Sequence, residues 1–333
     1  MRKKTILFIC LGLLLIGSFY WVYITQSTIK QEAKKPIKIG IIVYPGAGLF
    51  YVAQDKGFFK EEGVKTEIVQ IPDENQIVSS LASNQIQMFY STADFSTIIA
   101  DARVDAPEVF ISDMSYGADG LVVKNNVIDI SQLKGKKVYL SIGTPSHFLF
   151  RYLTNKAGLK SEEVELVNST ADQVGTAFVA GKIDYGMTWE PWLSKATERP
   201  DGKVLKTSKD EPGIIEDTVV ARKDLIQSRR EDTKRIMRAF FKAVNFWKNN
   251  KDEANAIMAK HFNISVADFA AQMETVKPLD YEENIKKFDP STSLNIYEIT
   301  NKAITIYTQD KVLKNKPHTA NIIDSSLLKE LYK

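Results

Sequence analysis

Cysteine and histidine are almost missing from this chain: of its 333 residues one is cysteine, Cys10, and three are histidine, His147, His261 and His318. Cys10 falls inside an apolar leader, so the rest of the chain has no disulfide and no thiol chemistry. The histidines are too scattered to suggest a metal site. An excess of charge is missing as well. The 44 basic and 41 acidic residues become 41 against 41 once Arg2, Lys3 and Lys4 of the leader are set aside, a balance that offers nothing to nucleic acid. There is no phosphate-binding glycine loop and no Ser-His-Asp arrangement with local motif support, so an enzyme is not expected and no cofactor is implied.

What the chain does have is an apolar fraction of 44%, normal for a protein that buries a real core and, at this length, enough for two lobes. After the basic triplet an uncharged run from Thr5 to Thr25 is long enough to cross a bilayer, and the basic flank places the chain beyond that run on the outer side of the cell membrane. Ile9 before Cys10, with most apolar residues after it, argues against lipidation. Phe19, Tyr20, Trp21 and Tyr23 resemble an interfacial aromatic belt, so residues 1–27 read as an uncleaved anchor in preference to a signal peptide cleaved near Ser27. Residues 28–36 are a polar linker.

Beyond the linker, strand and helix patterns alternate. KIGIIVY reads as a buried strand, YPGAGLFYVAQDKGFF as a turn and helix, VKTEIVQI as a strand, and ENQIVSSLASNQ as a helix leading into IQMFYST. The series recurs in KKVYLSI, GTPSHFLFRYLTNKAGL, EVELVNS, and ADQVGTAFVAGK leading into IDYGMTW. Residues 76–92 align without a gap on 173–189, matching Gln76 with Gln173, Ile86 with Ile183 and Ser91 with Thr188 at a spacing of 97 residues. Two copies of a β-α-β-α-β unit predict an α/β fold of two lobes, each a mainly parallel sheet flanked by helices. After the strand in DTVVARKDLI the remainder reads as helices packing back on the first lobe, with apolar residues such as Ile236, Phe240, Val244 and Trp247 three and four apart. The predicted division is 37–118 with 219–333 for lobe 1 and 119–218 for lobe 2. Two crossings are expected, near 115–124 and near 217–223.

Such sheets bind ligands beyond the carboxyl ends of their strands, where loops enter helices. Tyr44 ends the first strand, and Gly46, Ala47 and Gly48 follow it, small residues that would let a ligand approach free backbone N–H groups. Ser91 and Thr92 end the matching strand, with Asp94 just beyond, and can equally cap the next helix. In the second copy Thr144, Ser146 and His147 occupy the corresponding turn. Asp119, between Gly117 and Gly120, would bind a ligand amine or merely cap a turn.

The runs YPGAGLFYVAQDKGFFKEEGV, LSIGTPSHFLFRYLTNKAGL, AFVAGKIDYGMTWEPWLSKA and TVVARKDLI together resemble the solute-binding proteins of ABC importers for nitrate, sulfonates, taurine and thiamine-type pyrimidines. That resemblance implies a type II periplasmic-binding fold closing on a small solute, an extracytoplasmic location, and an ABC permease in the membrane as partner; a monomer is expected. It also implies that the acid of WEPW lines the pocket, which carries over to Glu190 with Trp189 as an apolar wall; the other reading makes Glu190 a helix start. Pyrimidine-synthesising relatives depend on a cysteine-rich segment that this chain lacks. A taurine-like zwitterion is favoured as the solute, because helix N-termini suit an anionic head and the acids suit an amine. An aminopyrimidine stacked on Trp189, or a tethered ligand sensor, are the alternatives.

Overall fold

The computed structural model describes residues 35–72 and 74–333. The expected anchor, Cys10 and most of the linker lie outside the described residues. Among the described residues no helix is long and apolar enough to cross a membrane.

The chain enters on β1 (Ile37–Ile41), turns through Pro45–Gly48 into α1 (Leu49–Asp55), and returns on β2 (Thr66–Gln70). Helix α2 (Ile77–Ala82) leads to β3 (Met88–Thr92), which runs directly into α3 (Ala93–Asp101), where the Thr92 hydroxyl accepts from the Phe95 N–H as the N-cap. Then come β4 (Glu108–Ser115) and β5 (Asp119–Lys124). The second copy follows as β6 (Lys137–Leu140), α4 (Pro145–Lys156), β7 (Glu165–Asn168), α5 (Ala171–Val179) and β8 (Tyr185–Trp189). Helix α6 (Trp192–Ala196) and β9 (Gly202–Thr207) complete it, and β10 (Glu216–Ala221) goes back. The long helices α7 (Arg230–Asn249) and α8 (Lys251–Phe262), the short strand β11 (Val276–Pro278) and helix α9 (Ile296–Gln309) form most of the remainder.

Two sheets result among the described residues, ordered β11-β4-β10-β3-β1-β2 and β7-β6-β8-β5-β9. Each contains a parallel triplet built by one copy of the repeat, β2-β1-β3 and β7-β6-β8. Antiparallel strands extend each triplet: β10 beside β3 with Val219 opposite Tyr90, and β5 beside β8 with Leu121 opposite Met187. The segments between the sheets are residues 116–118 and 208–215. The second crossing thus precedes Asp217, and β10, central in the first sheet, holds the DTVVA run where the sequence suggests a crossing; likewise residues 119–124 are a paired strand and not a link. Strands β4, β5 and β9 escape the apolar-run criterion because polar or charged residues interrupt them.

The carboxyl-terminal helices pack as their periodicity requires. In α7 the apolar stripe Ile236, Phe240 and Val244 is fully buried, with the Phe240 ring 4.8 Å from that of Phe50 on α1 and 5.0 Å from that of Phe110 on β4. Its basic side pairs with the α1–β2 connection, Arg238 with Glu62 at 2.7 Å and Lys242 with Glu62 at 2.7 Å. His261 is a packing residue, stacked on Tyr51 with ring centres 3.9 Å apart. Helix α9 touches both sides of the molecule, packing on α3 and on α4. Its Tyr307 hydroxyl lies 2.7 Å from Asp94 Oδ2 and 2.8 Å from the Thr144 carbonyl.

The small-residue turn after β1 serves close packing. A Cβ on Gly46 would lie 2.1 Å from Asp113 Oδ2, and one on Gly48 2.8 Å from Met258 Sδ. Substituting Gly46→Ala is therefore expected to destabilise the fold by about 1–3 kcal/mol, because a buried carboxylate on a central strand has nowhere to move. A thermal unfolding midpoint equal to that of the parent would contradict this account of the turn.

Candidate functional site

A cavity lies where the carboxyl ends of both parallel triplets meet. It contains about 460 Å³ of non-atom space, part of it open to solvent. From the first sheet it receives Tyr44 after β1, Tyr90, Ser91 and Thr92 at the end of β3, and Asp217 near the start of β10. From the second it receives Asp119 at the start of β5, Thr144 and Pro145 at the entry to α4, and Trp189 at the end of β8. Ile42, Phe89 and Phe95 add apolar wall. Ile42, Glu74 and Trp189 also border an outer hollow that continues to Thr170–Gln173 and Trp192.

The inner surface is acidic. Asp119 accepts from Ser115 Oγ at 2.6 Å and from Tyr44 Oη at 3.4 Å. Behind it Asp113 accepts from Tyr90 Oη at 2.8 Å and Ser112 Oγ at 3.0 Å. Glu74 accepts from the Ser141 hydroxyl. Desolvation dominates the protonation of these groups. Burial pushes Asp119 up to about 7, and Asp94 up to about 6. Glu216, in contact with the Lys287 ammonium at 2.6 Å, is still raised to about 7 by burial. Burial, then the neighbouring Asp113 and Asp119 carboxylates, hold Asp217 well above its ordinary range. The Tyr44 phenol is likewise raised, first by burial and then by the Asp217 and Asp119 charges, which keeps it a donor.

Of the residues singled out from sequence, Tyr44, Ser91, Thr92, Asp119, Thr144 and Trp189 converge on this cavity. Gly46, Ala47 and Gly48 do not line it; their turn is buried against Asp113 and Met258. Ser146 is fully buried, and its hydroxyl has no partner. His147 is turned away from the cavity. Its Nδ1 accepts from the Gly143 N–H, which leaves Nε2–H to donate to Asp310 Oδ2 at 2.7 Å. Burial alone would raise Asp310, but hydrogen bonds from His147, Ser161 and the Arg151 guanidinium bring it down to about 2. Glu190 faces its own helix, accepting from Ser194 Oγ at 2.7 Å and Ser194 N at 3.1 Å, so the helix-start reading describes its contacts.

Sequence reading missed Asp217 as a site residue. A signal was present: DGLVV at 119–123 and DTVVA at 217–221 recur at a spacing of 98 residues, close to the 97 of the main repeat. The structure pairs Asp119 with Trp189 across β5 and β8, and Asp217 with Thr92 across β10 and β3. Thr92 and Trp189 are themselves equivalent in the repeat. The two acids therefore hold corresponding places in the two halves.

The family model described as NMT1/THI5 like matches residues 45–254. The chain belongs to the NMT1/THI5-like family. Among curated relatives of this family member, the taurine-binding periplasmic protein of Escherichia coli is 29% identical over 199 residues, covering 58% of this chain and 59% of that protein. The fold matches the ligand-binding component of an ABC-type import system from Staphylococcus aureus, solved with zinc bound, at TM-score 0.73 and 15% identity, over 90% of this chain and 99% of that one. It also matches a desulfurization enzyme, DSZB, at TM-score 0.63 and 12% identity, over 89% of this chain and 98% of that one. At such identities the two structures establish the shared fold alone.

The raised carboxyls make a pH prediction with a fixed sign. A folded carboxyl with an elevated pKa retains a proton that the unfolded chain releases from about pH 4 upward, so its contribution is complete below that pH and declines toward about pH 7. Asp310, with its lowered pKa, acts oppositely and only below about pH 4, losing its contribution toward about pH 2. The ligand-free protein is thus expected to unfold at a higher temperature at about pH 5 than at about pH 8. A midpoint that rises across that interval would contradict the burial of these acids.

Proposed function

We propose that this protein is the extracytoplasmic solute-binding component of an ABC importer, which captures a small organic solute in the cavity between its two sheets by hinge closure and presents it to a membrane permease. The observation that carries this reading is the composition of the cavity wall, to which both sheets contribute side chains. A solute touching both halves is held fully only when they are together, so binding favours the closed arrangement. The hinge has suitable parts. Gly117 and Gly213, both with positive φ, lie in the two crossings, and Ser208 Oγ accepts from the Gly117 N–H at 2.7 Å, joining one crossing to the other.

The relative named for taurine supports a solute of that size and class. A taurine-like zwitterion is favoured over a bare sulfonate, since its ammonium end has carboxylates to meet. Relatives named as binding proteins support capture over catalysis. Residues 1–27 are proposed to tether the protein to the outer face of the membrane.

The reading is tested by scattering and thermal shift on the same sample. A true solute is expected to raise the unfolding midpoint with the logarithm of its concentration and to reduce the radius of gyration. Trp189→Ala is expected to weaken that solute by about tenfold, through loss of the aromatic wall. A binder that stabilises the protein without contraction would remove hinge closure, and full affinity in the Trp189 variant would move the site elsewhere.

A further inference from the structure

The polarity of the cavity is one-sided in a way that selects a chemical group. Its hydroxyl donors are already engaged with protein acceptors. Tyr44 donates to Asp119, Tyr90 to Asp113, Ser91 to the Thr92 carbonyl at 3.4 Å, and Thr144 to the Ser141 carbonyl at 2.8 Å. Three acids, Glu74, Asp119 and Asp217, are among the residues that line the cavity. Asp217 is 2% exposed and lines the cavity; its carboxyl shares a hydrogen bond with Asp113 behind it and receives no positive charge from the protein. No lysine, arginine or histidine is among the described residues that line the cavity. Lys287, which neutralises Glu216, reaches no further.

Ionising an acid in such a site costs free energy, and a positive charge brought by the solute offsets that cost. Asp119 and Asp217 are placed to share that charge because they occupy equivalent positions in the two halves, each opposite the last residue of a parallel triplet. Both lie close after a crossing. Aromatic rings stand around them, with Tyr44 and Tyr90 at a centroid distance of 6.1 Å and Trp189 on the opposing strand end. Carboxylates flanked by aromatic faces suit a positively charged nitrogen carrying N–H or C–H groups. A metal ion suits them less, since among the described residues no group of three or more acidic, histidine or cysteine side chains is arranged to hold one.

We propose that the group by which this protein recognises its solute is a positively charged organic nitrogen, an ammonium or amidinium, held jointly by Asp119 and Asp217 within the aromatic wall of Tyr44, Tyr90 and Trp189. This rests on the solute-capture reading and sharpens it. A sulfonate or other anionic end is carried as baggage, tolerated toward the outer hollow, and contributes nothing to selection.

The test is titration of the full chain, purified in detergent, by thermal shift and calorimetry with five probes: phenethylammonium, choline, taurine, ethanesulfonate and neutral 4-aminopyrimidine. At least one ammonium-bearing probe is expected to bind, and ethanesulfonate is not. Asp217→Asn and Asp119→Asn are each expected to weaken that probe by about 10- to 100-fold, the loss of a charge-assisted contact. Both are expected to fold, with a ligand-free unfolding midpoint at pH 8 equal to or above that of the parent, because a buried charge has been removed. Retained affinity in both variants overturns the proposal. So does a preference for ethanesulfonate, or binding of 4-aminopyrimidine with no ammonium probe bound; in either case solute capture itself stands. Failure of all five probes to bind overturns the proposal and the capture reading together.

Discussion

Carboxyl groups buried without matching positive charge are the constraint on which this structure turns. Moving an ionised carboxylate out of water costs several kcal/mol after relaxation, and the protein answers case by case. Asp310 is answered fully, by the His147 and Arg151 side chains, and is the one among them held well below its ordinary range. Glu216 is answered in part by Lys287. Asp113 and Asp119 receive hydroxyls, Asp113 and Asp217 share a hydrogen bond with each other, and Glu108 and Glu216 each keep one oxygen with no partner. Among the described residues that line the cavity, none is a cation that could pair with Asp119 or Asp217.

The fold places these acids. Each half of the repeat ends a parallel triplet beside an antiparallel strand that begins with an acid, and the two crossings bring those strand starts to the same place. Relatedness of fold does not settle chemistry, since the same architecture carries both an importer component and a desulfurization enzyme. The particular side chains at the strand ends decide what a member of the NMT1/THI5-like family does.

Much of this is legible in the sequence, for identifiable reasons. Short runs of aliphatic and aromatic residues mark β1, β3, β6 and β8, and the ungapped match of 76–92 with 173–189 reveals the duplication that puts Thr92 and Trp189 in equivalent places. Legibility fails where buried residues are charged. Glu108 and Asp113 in β4, and Glu216 and Asp217 in β10, break the apolar pattern although all are buried, so β4 does not read as a strand and Asp217 reads as part of a crossing. The glycines of the opening turn mislead in another way. Small residues at a strand end signal that something approaches the backbone closely, and composition does not say whether it is a solute or, as here for Gly46, the side chain of Asp113. Glu190 draws attention as an acid at a strand end, yet two hydrogen bonds from Ser194 account for it locally.

The position of Tyr307 bears on how far the two halves can part. Helix α9 is a late segment of the chain, yet its hydroxyl touches Asp94 on one side and the Thr144 backbone on the other. The two halves are thus joined by continuous backbone at two crossings and by side-chain contacts, those of Tyr307 together with Tyr44 to Asp119 and Ser141 to Glu74, and under the proposed hinge motion such contacts must part before the gap widens.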